Sequence, residues 1–190
     1  MAEGMVDKAK ESVVSVIKGA GDVAGSVRQV VTDLVTGALR GTGEITSTAM
    51  GVVSDTVRGA MKGTREAGTE VAQGARAVVS GAVEAVASVG GDVVSAARNA
   101  VRAAVQGAAE IGADIGAAAT GAVEGAIEAT RKVGKNVTEV ASGAVEQAVE
   151  TAGEIGRDAV EAVKKGLSSA ASVPRDVVDS VMRRRDEGAS

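Results

Sequence analysis

The sequence predicts an all-α protein built from long amphipathic helix, and three observations carry that expectation. An eleven-residue pattern runs from Gly4 to Ser190 in seventeen blocks without insertion or deletion. Eleven residues close three helical turns at about 3.67 residues per turn, so equal positions of every block fall on one side of a helix. The chain has no Phe, Trp or Tyr and only three leucines, Leu34, Leu39 and Leu167, leaving Val and Ala as its main apolar residues. A single compact core normally draws much of its area from aromatics and Leu, so thin contacts repeated along long elements suit this composition better. No two-residue alternation persists, which removes strands.

Residues 1–173 are expected to form one continuous repeat region on an 11/22-residue period. It can be an extended helix, a helical hairpin, or a straight to right-handed coiled-coil assembly. Gly90–Gly91 either turns it into a hairpin near its middle or merely occupies a Gly-rich column of the repeat. Pro174 ends or kinks the helix near Val173. Residues 174–190 then form a short amphipathic piece and a charged tail.

With the positions of each block numbered from Gly4, columns 9, 2, 6, 10 and 3 lie side by side on an arc about 130° wide. The larger apolar residues of that arc are Ile17, Leu34, Leu39, Ile45, Met50, Met61, Val83, Val94, Val105, Ile111, Ile127, Val149, Ile155, Val160 and Leu167. They are the expected apolar interface. Column 10 alternates, as in Val79, Gly90, Val101, Gly112, Val123, Gly134, Val145 and Gly156, which makes the true unit 22 residues. Columns 11, 4, 8 and 1 are polar, column 8 being largely acidic. Column 7, beside the arc, is often basic (Lys10, Arg65, Arg76, Arg98, Arg131, Lys164, Arg175).

The 26 glycines cost roughly 1 kcal/mol each relative to Ala in a helix interior, so an isolated helix of this sequence is weak. Something must cover the arc: another helix, another copy of the chain, or a lipid surface. The pairs Gly37/Gly41, Gly59/Gly63, Gly112/Gly116 and Gly121/Gly125 follow the small-xxx-small spacing that lets helix backbones approach closely.

Catalytic chemistry finds little foothold. With no Cys and no His there is no thiolate, no sulfur metal ligand and no imidazole base. Carboxylate pairs such as Glu146/Glu150 lie on the polar face, and no phosphate-cradling Gly motif occurs. No catalytic, metal or cofactor site is expected. A net charge of −4 and the lack of aromatics speak against nucleic-acid binding. No apolar run reaches the ~18–20 residues that span a bilayer. The first residues lack a signal-peptide core, so a cytoplasmic location, or a peripheral one on an intracellular surface, is expected.

The segments Gly121–Gly153 and Thr32–Thr69, rich in Val, Thr, Ala and Gly, resemble the 11-residue repeats of perilipins and synucleins. That resemblance implies helices that form on lipid droplets or membranes. In period the chain is also similar to the group 3 late-embryogenesis-abundant proteins, which implies a stress protectant, disordered in water. The first functional expectation is therefore a non-enzymatic coat on a lipid droplet, granule or membrane interface. The alternative is a self-assembling helical filament, tube or bundle, with the chain itself as partner.

Overall fold

The computed structural model describes residues 2–19, 21–42 and 47–188. Among them there are nine helices: α1 (Ala2–Ile17), α2 (Val23–Thr42), α3 (Ser47–Glu66), α4 (Val71–Ser88), α5 (Val93–Glu110), α6 (Ile115–Lys132), α7 (Val137–Ile155), α8 (Arg157–Ser169) and α9 (Arg175–Gly188). The repeat region is thus not one helix. Its helices are 13 to 20 residues long and stack side by side instead of winding as a long coiled coil.

The turns explain the alternation in column 10. Gly68, Gly90, Gly112, Gly134 and Gly156 all have positive φ, with values of 76°, 77°, 62°, 68° and 149°. At Gly90 the N–H donates to the Ala87 carbonyl at 3.0 Å, and the Gly91 N–H donates to the Val86 carbonyl at 2.9 Å. This is the Schellman closure of a helix end, which needs a left-handed residue where only Gly is unstrained. The same pair of bonds recurs at Gly68, Gly112 and Gly134.

Two residues further on, a polar side chain opens the next helix. Asp92 accepts from the Val94 N–H at 3.0 Å, Asp114 from the Ala117 N–H at 2.9 Å, and Asn136 from the Glu139 N–H at 3.2 Å. Gly-x-Asp/Asn therefore stops one helix and caps the next. The turn at Gly90–Gly91 is real, but it is one member of a series and not a single central hairpin.

The helices fall into two layers, α1, α3, α5, α7 and α9 in one and α2, α4, α6 and α8 in the other. Each helix lies beside its neighbours one and two places along the chain, with the closest association inside a layer. Helices within a layer are parallel: Gly121 and Gly125 of α6 meet Ala72 and Arg76 of α4 in the same order. Successive helices are antiparallel because the turns are short; Gly74 near the start of α4 meets Thr64 near the end of α3. Each helix is the missing half of its neighbours' interfaces, which is why weak helix formers are ordered here.

Burial spreads beyond the expected arc. In the interior helices the supposedly polar columns 1 and 8 also turn inward, at Gly81, Ala103, Gly125 and Gln147 and at Ala77, Gly121 and Gly143. A helix flanked on both sides within its layer and covered by the opposite layer must bury most of its circumference. Gly and Ala at those positions make the fit possible. The helix before Pro174 does not run to Val173: α8 ends at Ser169, and the proline instead stands directly before the first residue of α9, where its missing N–H costs nothing. Val173, Val177, Val178 and Val181 anchor α9 to the core.

Candidate functional surface

The predicted interface residues divide by depth. Leu39, Met61, Val83, Val105, Ile127, Val149 and Leu167 are buried in the core between the layers. Ile17, Leu34, Met50, Val94, Ile111 and Val160 are half-buried. Ile155 is 39% exposed at the sharp α7–α8 corner. Ile45 lies outside the described residues. The arc expected to meet a foreign surface is thus largely spent on the protein's own core.

The glycine pairs divide as well. A Cβ on Gly59 would collide with the Val6 carbonyl, and one on Gly63 would lie 2.8 Å from the Lys10 carbonyl, so both glycines set the α1–α3 approach. Gly121 and Gly125 rest on the Ala72 and Arg76 carbonyls, and a Cβ on Gly116 would lie 2.6 Å from that of Ala162. Gly37 and Gly41, by contrast, have nothing within 4 Å, and Gly112 is a turn residue. Gly74, Gly81 and Gly166 are close-approach glycines that the four-residue spacing alone does not single out. Gly81 is legible from the 22-residue unit, because it stands 44 residues from both Gly37 and Gly125.

Outside the core, charged side chains form ladders across each layer. In one layer Lys10 pairs with Glu66 at 2.8 Å, Arg58 with Glu110 at 3.7 Å, Arg98 with Glu146 at 3.5 Å and Arg102 with Glu154 at 2.7 Å. In the other, Arg76 reaches Glu124 at 3.7 Å and Glu128 at 2.9 Å, and Lys132 reaches Glu84 at 3.2 Å. Many partners are 48 or 52 residues apart, as in Arg98–Glu146 and Arg102–Glu154: two repeat units plus one or two helical turns. Arg28 of α2 even reaches Glu128 of α6 at 3.4 Å, passing over α4, whose surface there is thin.

The Glu66 carboxylate beside Lys10 raises that ammonium's pKa, chiefly through their hydrogen bond. Such exposed pairs contribute little individually and set register more than stability. A depression of about 270 Å3 opens among Asp22, Arg28, Gln73, Arg76, Ser80 and Glu128 on the α2–α4–α6 face. Within it Arg28 and Arg76 both pair with Glu128, at 3.4 and 2.9 Å, while Asp22 accepts from the Gly25 N–H at 3.0 Å. Among the described residues no helix is long and apolar enough to cross a membrane, and no group of His, Cys, Asp and Glu is arranged to hold a metal ion.

The arrangement defines an α-helical repeat. Among solved structures, the chain is similar to the crystal structure of the de novo designed helical repeat protein DHR7, with a TM-score of 0.54. The two share 21% sequence identity over 93% of this chain and 96% of that one, a likeness of fold alone. No family model matches the chain, and no curated protein does.

Proposed function

We propose that this protein is a non-enzymatic structural scaffold, a self-supporting stack of helices that offers its charged layer faces to protein partners. The observation that carries this reading is the destination of the apolar columns: the side chains that would have coated another surface cover the neighbouring helix instead. What remains outward is a set of Arg, Lys and Glu side chains paired across neighbouring helices, many of them 48 or 52 residues apart. A surface of that kind favours recognition by complementary charge over hydrophobic capture.

The test is far-UV circular dichroism with light scattering on dilute, lipid-free protein. A scaffold is strongly helical under those conditions, of defined mass, and unfolds cooperatively. A chain that is largely disordered until lipid is added would overturn the proposal, and would favour the coat or the desiccation protectant.

A further inference from the structure

The turns keep helical phase, and the stacked fold gives them no reason to. Helices α4, α5, α6 and α7 begin at Val71, Val93, Ile115 and Val137, each 22 residues after the last. Two antiparallel helices joined by a four-residue turn impose no rotational relation on each other, and connections in helical bundles ordinarily range over about 2–8 residues. Here helix plus turn equals six helical turns, so a chain made helical through its turns would carry one unbroken apolar arc.

The turn residues suit both states. The column 9 residues Val89, Ile111 and Val133 are only half-buried in the stack, and Ile155 is exposed, yet all four would lie on the arc of a straight helix. The turn glycines fall within the arc, in column 10, where the alternate blocks carry Val79, Val101, Val123 and Val145. The caps Asp92, Asp114 and Asn136 fall in column 1, opposite the arc, and would face water. Arg76, Arg98, Arg131 and Lys164 flank the arc, where long basic side chains can lay their stems on an apolar surface and keep their charges wet.

We propose that the stack opens at its glycine turns on a zwitterionic lipid surface and lies on it as a continuous amphipathic helix. The net charge of −4 directs the choice to neutral over anionic lipid. Only the stacked state uses the glycine–carbonyl contacts. Only the straight state uses the phase of the turns.

The chain has no cysteine, so Gln73→Cys and Ala117→Cys place labels uniquely. These positions lie on the adjacent parallel helices α4 and α6, about 10 Å apart in the stack. On a straight helix, 44 residues separate them by about 66 Å. Electron–electron distance measurement on the labelled full chain, with and without phosphatidylcholine vesicles, is expected to show the short distance alone and the long one with vesicles.

Two insertion variants test the phase itself. Two residues added after each of Gly90 and Gly112 rotate the following helix by about 200°, whereas four residues rotate it by only about 40°. The four-residue variant should still open on vesicles and the two-residue variant should not. A short distance retained by the parent chain on vesicles would overturn the proposal without recourse to any insertion. Equal opening of both insertion variants would overturn it too.

Discussion

Gly37, Gly81 and Gly125 occupy one column of the repeat at 44-residue intervals, yet Gly→Ala should have opposite consequences along it. All three are interior to helices, so each substitution gains about 1 kcal/mol of helix propensity. At Gly37 nothing stands within 4 Å of the added methyl, and that gain is the whole effect. At Gly81 the methyl would lie 2.5 Å from the Arg28 carbonyl oxygen and 3.1 Å from the Val31 Cβ. At Gly125 it would strike the Arg76 carbonyl and lie 3.0 Å from that residue's carbonyl carbon. The obstacle is backbone, which cannot rotate aside, so α4 must move away from its neighbour along its length. Overpacking of this kind costs about 1–3 kcal/mol, and more where the chain cannot yield.

Net stability should therefore rise by about 1 kcal/mol for Gly37→Ala and fall by up to about 2 kcal/mol for Gly81→Ala and Gly125→Ala. For a chain of this length, 1 kcal/mol shifts the thermal midpoint by about 2–4 °C. Thermal and urea unfolding followed at 222 nm gives the three midpoints. If all three variants melt above the parent, the close glycine–carbonyl approach is not what sets the helix spacing, and the reasoning fails.

Other expectations follow from single sites. Gly112→Ala should cost about 1–2 kcal/mol through its left-handed backbone alone, since the methyl meets nothing, and Gly112→Asn should recover part of that loss in urea titration. Thr56 is fully buried and its hydroxyl has no partner, so Thr56→Val should stabilise by about 1 kcal/mol, seen as a higher urea midpoint with an unchanged slope. Asp92 is held below the usual carboxylate pKa, first by the Ser95 hydroxyl and then by the Ser95 and Val94 N–H groups. Its contribution is thus complete above its ordinary value of 3.8 and fades as pH falls through the lowered folded value. The midpoint difference between the parent and Asp92→Ala, about 1 kcal/mol of cap, should hold from neutral pH to about 4 and shrink below it.

How much of this was legible beforehand follows from which interactions are local. Helix type, the core side chains Met61, Val83, Val105, Ile127 and Val149, and the 22-residue unit can all be read from periodicity, because each depends on residues a few positions apart. The turns were half visible. Column 10 showed the glycines, but Asp92, Asp114 and Asn136 of column 1 read only as polar until the fold placed each of them as a cap two residues after a turn glycine.

The sequence by itself determined that the chain is helical, that one arc is apolar, and that no helix could stand alone. It left open what covers the arc, because an eleven-residue register is satisfied equally by a continuous helix and by a folded stack. Only the tertiary structure decided that the cover is the same chain. The same choice made Gly125 an intimate contact with α4 and left its repeat-mate Gly37 bare, because among the described residues no neighbouring backbone lies against that face of α2.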